Sequence, residues 1–223
     1  MREKSDSLYK YTRLDYVNCT LNNGIYASPI QSLNDPYESE GIFDPSKYRI
    51  VCLSRSRNQK LMWSHYANGH RGCSIKISLP EDYGTEACPL KRVEYSSKIS
   101  SRSDLLSEHD YIGSLYIKDK KWESELEVRG VYQDGIELPT YWKKYHGNIY
   151  LKASIQQIDF GCFSHLDPHY LDALIAIRDY NTNHKKKIKV RKYKMSDTQY
   201  AFNIDSSFKY TDEIARIING QEV

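Results

Sequence analysis

The chain has no long apolar run: nothing in its 223 residues approaches the roughly 18 to 20 consecutive apolar residues of a membrane-spanning helix. Its opening residues, Met1-Arg2-Glu3-Lys4-Ser5-Asp6, carry no apolar stretch of the signal-peptide kind. The expectation is a cytoplasmic protein with no membrane partner. Cysteine is scarce and odd in number. Cys19, Cys52, Cys73, Cys88 and Cys162 lie far apart, several in apolar settings such as Ile50-Val51-Cys52-Leu53, so reduced and buried thiols are the simplest reading. Glycine-rich phosphate loops of the Walker or Rossmann kind are absent, which argues against an NTPase or a doubly wound dehydrogenase. Phenylalanine is rare, with 5 residues against 20 tyrosines. The aromatic content is therefore mostly rings with a hydroxyl at one end, suited to half-buried strand edges and to stacking sites.

What is present is polar but not disordered. Charged residues make up 27% and hydrophobic ones 39%, with a mean hydropathy of −0.70 and many aromatic rings. The length fits a single domain over residues 1–223. Net charge is only +3, yet seven of the ten residues 185–194 are basic, with Ile188 and Val190 alternating among them as on a strand. Such a ribbon neutralises phosphates. A lysine-rich edge strand also discourages sheet-to-sheet association, and both readings stand.

Periodicity reads as mixed α and β, without internal repeats or long linkers. Strands are expected at residues 8–11, 25–28, 48–54, 72–79, 91–95, 122–132, 149–153, 157–163, 185–194 and 199–204. Helical segments are expected at 15–21, 59–68, 103–121, 168–180 and from Thr211. Asn22-Asn23-Gly24 is a helix stop, and Asn34-Asp35-Pro36-Tyr37-Glu38 is turn chemistry, because Asn and Asp bond their own backbone and Pro fixes φ. After Asp167-Pro168, Leu171, Leu174, Ile175 and Arg178 fall at i, i+3, i+4 and i+7 of a well-marked helix.

Trp122-Glu123-Ser124-Glu125-Leu126-Glu127-Val128-Arg129 sets three carboxylates and a guanidinium two residues apart. On a strand, alternation at about 3.3 Å per residue turns Leu126 and Val128 into a core and puts Glu123, Glu125, Glu127 and Arg129 on the opposite surface. Crowded carboxylates raise one another's pKa and Arg129 opposes that, a way for a cleft to hold one carboxylate ready for a developing positive charge. A solvated strand face explains the same alternation without chemistry, and for Arg129 a pair with a neighbouring Glu is the simpler role. Cys162-x-x-His165-x-x-x-His169 has metal-ligand residue types, but no second paired motif follows it. A capped turn before the helix is preferred, and no metal is expected.

In order along the chain stand Leu8-Tyr9-Lys10-Tyr11, Asn34-Asp35-Pro36-Tyr37-Glu38, Met62-Trp63-Ser64-His65-Tyr66-Ala67 with His70-Arg71-Gly72, Trp122-x-x-Glu125-x-Glu127-x-Arg129, and Ile158-Asp159-Phe160-Gly161. The series resembles that of a large prokaryotic family catalogued as a domain of unknown function. Its element order is in turn similar to that of ADP-ribosyltransferases. That resemblance implies an α+β fold with a split antiparallel β core and flanking helices, completed by a helix and basic strand at about residues 155–223. It implies NAD as substrate, with Glu125-Leu126-Glu127 as the ExE element, Glu127 catalytic and Glu125 orienting the substrate. Ser54 stands in the place of the third-strand serine, and Ser54-Arg55-Ser56 is a partial echo of the usual triplet. Trp63 and Tyr66 lie on the following helix, where Tyr66 would stack on nicotinamide. Where such enzymes usually carry Arg or His on the first strand, this chain offers Tyr9, Lys10 or Tyr11, with Arg13 as a further candidate and Arg71 to compensate.

Cleavage of the bond between nicotinamide and ribose has oxocarbenium character, which a carboxylate beside the ribose opposes. The partners so implied are NAD, an RNA or protein acceptor, and an antitoxin protein, as for toxins of bacterial toxin–antitoxin or phage-defence systems. RNA is favoured by Lys185, Lys187, Lys189 and Arg191 and by Tyr141-Trp142-Lys143-Lys144-Tyr145, since stacking and phosphate neutralisation together hold single strands. The alternative is a non-catalytic binding module of the same fold.

Overall fold

In the computed structural model, which describes residues 7–35, 37, 44–78, 81–83, 88–98, 107–135, 137–199 and 201–220, the chain is mixed α+β with mainly antiparallel strand pairing. It divides into two compact units, one of Met1–Asn22, Ser56–Ser78 and Ser154–Val223 and one of Asn23–Arg55 and Leu79–Ala153. No helix among the described residues is long and apolar enough to cross a membrane.

In the first unit the alternation of residues 8–11 forms β1 (Leu8–Thr12), antiparallel to β5 (Cys73–Ile77) with Leu8 opposite Ile77. The other edge of β5 carries β12 (Ile155–Phe160), again antiparallel. β12 runs parallel to β13 (Lys189–Met195), which pairs antiparallel with β14 (Phe202–Ile204). A parallel pair needs a crossover, and the helix Tyr170–His184 supplies it. The short helix Lys60–Tyr66 buries Met62 and Trp63 against Tyr9, Tyr11 and Tyr193.

Two motif glycines sit where chain segments approach too closely for a side chain. Gly161 donates its N–H to the Gly72 carbonyl at 2.9 Å, and Phe163 donates to the His70 carbonyl at 3.1 Å. A Cβ on Gly161 would overlap the His70 carbonyl oxygen, and one on Gly72 would overlap that of Thr12.

In the second unit β4 (Tyr48–Ser54) pairs antiparallel with β9 (Glu127–Gln133), from Tyr48 opposite Gln133 to Ser54 opposite Glu127. β6 (Leu90–Arg92) lies along the other edge of β9, and β3 (Ser28–Pro29) along β4. A separate antiparallel sheet joins β10 (Trp142–Tyr145), β11 (Asn148–Leu151) and β2 (Ile25–Tyr26). β7 (Glu94–Ser96) and β8 (Ile117–Asp119) form a parallel pair. Ile30, Tyr48, Ile50, Tyr111 and Leu115 pack as one buried cluster. Asp35 accepts from the Tyr37 N–H at 3.1 Å, the Asx bond expected of that turn; Pro36 and Glu38 lie outside the described residues.

Several expected elements take another form. Residues 122–132 are not one strand: a 3-10 helix spans Lys120–Glu125, Leu126 is left-handed with φ 48°, and β9 begins only at Glu127. Asp119 caps that helix by accepting from the Lys121 N–H at 2.9 Å. Lys118 and Glu125 meet at 2.8 Å, whereas seven residues of extended strand would hold them about 23 Å apart. Leu126 is consequently exposed rather than in the core. The helix expected over 103–121 is confined to Glu108–Ser114, capped by Ser107; residues 103–106 lie outside the described residues. The helix expected over 168–180 runs instead from Tyr170 to His184, because a 3-10 turn at Ser164–Leu166 and an Asp167 carboxylate accepting from the His169 N–H occupy the residues before it. Its buried stripe is Tyr170, Ala173, Leu174 and Ile177, offset by one residue from the expected one. β13 starts at Lys189, after a left-handed Lys185, and is flanked by strands on both sides, so it is not an edge.

Candidate functional site

The carboxylate segment builds a closed ion cluster in the second unit. Leaving the left-handed Leu126, the chain enters β9 with Glu127 and Arg129 on one face. Arg129 Nε and Nη2 donate to the two oxygens of Glu127 at 2.8 and 2.9 Å, and its Nη1 donates to the Leu115 carbonyl at 2.8 Å. Lys118 Nζ, on β8, lies 2.8 Å from Glu125 and 3.4 Å from Glu127, with the Trp122 ring 4.8 Å away. The Ser54 hydroxyl donates to the Glu125 carbonyl at 2.7 Å, and the Glu127 N–H donates to the Tyr95 hydroxyl at 2.7 Å. Lys118, Glu125, Glu127 and Arg129 are each no more than 5% exposed.

Electrostatics follow from this closure. Burial pushes the Glu127 carboxyl up, but the Arg129 charge and hydrogen bonds together with Lys118 outweigh it and hold the group below the usual carboxylate range. The rise expected from crowded carboxylates is therefore reversed by the cations among them. Tyr95 is pushed up to about 12, first by its own burial and then by the charge of Glu127. The carboxylates do not line an open surface as expected. Glu123 stays on the preceding 3-10 helix, and Lys118 and Tyr95 complete the cluster unannounced by any motif.

The other residues singled out for NAD belong to the first unit, apart from Ser54. Tyr9, Tyr11 and Trp63 are buried in one cluster with Tyr66 packed against it. Tyr11 and Trp63 meet edge to face at 5.3 Å, and the Tyr11 hydroxyl donates to the Ser56 carbonyl at 2.9 Å. Lys10 is half-buried and Arg71 exposed. The phosphate candidates separate. Lys185, Lys187 and Lys189 are exposed, whereas Arg191 is drawn inward and donates from Nε and Nη2 to the buried Asp159, both at 2.7 Å. Arg191 thus leaves the basic ribbon because a carboxylate on the neighbouring parallel strand captures it.

A cavity of about 410 Å³ in the first unit is lined by His165, Lys192, Asp205, Lys209, Glu213 and Arg216 among others. Its charges pair internally: Glu213 accepts from Tyr170 at 3.1 Å and from Arg216 at 2.6 Å, with Lys192 at 3.6 Å. No family model, curated protein or solved structure matches this chain.

Proposed function

We propose that the chain is an NAD-consuming ADP-ribosyltransferase, a toxin or effector of the bacterial toxin–antitoxin or phage-defence kind, which modifies RNA in preference to protein. The observation that carries this reading is Glu127, kept ionised at the head of β9 and directly opposite Ser54 on β4. Ser54 and Glu127 are the serine and the carboxylate that the resemblance to these enzymes sets around NAD. As nicotinamide leaves, positive charge grows on the ribose, and a fixed carboxylate stabilises it without having to reorganise. Arg129 fixes that carboxylate. The Lys118 contact, at 3.4 Å, is longer than the two bonds from Arg129, and it is the one a ribose hydroxyl would replace.

A non-catalytic binding module of the same fold is favoured by a different observation: both oxygens of Glu127 are already bonded within a buried, charge-balanced cluster. Incubating wild-type, Glu127→Gln and Arg129→Gln proteins with labelled NAD and cellular RNA or protein separates the two readings. Loss of a positioned carboxylate is expected to cost about two to four orders of magnitude in nicotinamide release, at a temperature where circular dichroism shows Glu127→Gln folded. Label on RNA identifies the acceptor. Intact NAD with the wild-type protein in every extract would sink the transferase and leave the binding module.

A further inference from the structure

The cavity between His165, Lys192 and the helix Tyr210–Ile218 takes no part in the chemistry proposed for Glu127, and every residue lining it belongs to the first unit. Two periodicities build its wall. Alternation along β13 turns Lys192 to the face opposite Arg191, where its Nζ lies 5.1 Å from the centre of the Tyr170 ring and 5.9 Å from that of Phe208. On the helix, Lys209 at the cap and then Asp212, Glu213 and Arg216 fall at i, i+3, i+4 and i+7, which is one face. Formal charge in this lining balances, with Asp205, Asp212 and Glu213 against Lys192, Lys209 and Arg216, but hydrogen-bonding capacity does not. Asp205 accepts from the Ser207 N–H at 3.0 Å and from its hydroxyl at 2.6 Å, and the two oxygens of Glu213 accept from Tyr170 and Arg216. Donors are left over. Arg216 gives Glu213 only Nη2, its Nε is buried without a partner, and so is Nδ1 of His165. The exposed Lys209 side chain makes no hydrogen bond or ion pair among the described residues. Burial outweighs Glu213 and Asp205 and lowers the Lys192 pKa, so a further anion beside that ammonium would relieve its desolvation.

We infer that this cavity binds a small phosphorylated molecule, with the phosphate met by Arg216, Lys209 and Lys192 and the organic part lying against Phe208. The inference goes beyond the function proposed above and does not depend on NAD turnover. A guanidinium with one nitrogen engaged keeps donors for two oxygens of a phosphate, the geometry in which arginine binds that group best. Lysine adds charge without fixing direction, which suits Lys209 at the mouth of the site. The volume of about 410 Å³ is that of a small-molecule site and far exceeds a phosphate alone, so the ligand carries more than the anion. Water would satisfy the same donors without any ligand, and the two cases differ in what titration shows.

Isothermal titration calorimetry of the full chain with adenosine monophosphate, inorganic phosphate and adenosine tests this. Adenosine monophosphate is expected to bind more tightly than phosphate, and adenosine not to bind over the same concentrations. Lys209→Gln and Arg216→Lys should each weaken adenosine monophosphate about tenfold, the equivalent of one charge-assisted hydrogen bond. Arg216→Lys keeps a cation for Glu213, and circular dichroism checks that the variant is folded. Lys187→Gln, at an exposed lysine outside the cavity, and Glu127→Gln should both bind as wild type, which separates this site from general charge attraction and from the transferase reading. The inference is overturned if neither phosphate nor adenosine monophosphate binds the wild-type protein at millimolar concentration, if adenosine binds as tightly as its monophosphate, or if Lys209→Gln and Arg216→Lys both bind as wild type.

Discussion

Asp159 is fully buried, and its stability rests on how completely it is bonded. Arg191 grips both oxygens at 2.7 Å, Gln157 donates to both at 2.8 and 2.9 Å, and Arg57 lies 3.5 Å away. Burial holds this carboxyl above the usual carboxylate range, and Arg191 and Arg57 offset only part of that rise. Arg191→Met removes the main partner and leaves the buried carboxylate to Gln157 and the more distant Arg57, a loss expected to cost about 3 kcal/mol in urea unfolding. Lys187→Gln, on an exposed side chain, should stay within about 0.5 kcal/mol of wild type. Equal effects from the two would mean the ion pair carries no weight. In the sequence Arg191 is one cation among seven, and nothing in its immediate neighbours marks it as different. What sets it apart is a carboxylate 32 residues earlier, brought alongside by parallel pairing of β12 with β13. Lys118 escapes notice for the same reason, because its meeting with Glu125 depends on a turn rather than on spacing.

At the scale of elements, period-2 patterning locates a strand well when the whole stretch is paired, as in residues 48–54, and poorly when a turn interrupts it. The segment 122–129 alternates as well as any other in the chain, yet its first half coils. A capping Asp119, the bond from Ser54 to the Glu125 carbonyl and the Lys118 pair together outweigh the alternation. The price falls on Leu126, a branched residue at φ 48°, where a left-handed conformation costs roughly 1 kcal/mol. Leu126 is also exposed, so Leu126→Gly should raise stability by up to about 1 kcal/mol in thermal or urea melts. Leu126→Val, with branching at Cβ, should lower it by a similar amount. A valine variant as stable as wild type would show that this turn holds no strain. The carboxylates of the candidate site were thus legible as a group, but their burial was not, since burial follows from the turn that aims Glu127.

For the whole molecule, the response to acid should include two steps of the same sign, one from buried histidines and one from Glu127. Burial lowers the pKa of His70 and His165 below the ordinary imidazole value, with Lys192 adding to the shift at His165. Once pH drops below about 6.5, the unfolded chain takes up protons that these folded imidazoles refuse, so folding stability falls as pH falls. Glu127 acts lower down. Its folded pKa is depressed, so its contribution is present above the unfolded value near 4.5 and is lost as pH falls through the folded one. His70→Asn/His165→Asn should therefore flatten Tm between pH 7 and 5 while leaving the decline below about pH 4.5 in place. Asparagine is suitable at position 70 because it tolerates the left-handed φ of 67° there. If the slope between pH 7 and 5 survives the double substitution, proton uptake on unfolding belongs to other histidines and the burial of these two is not what sets the acid response.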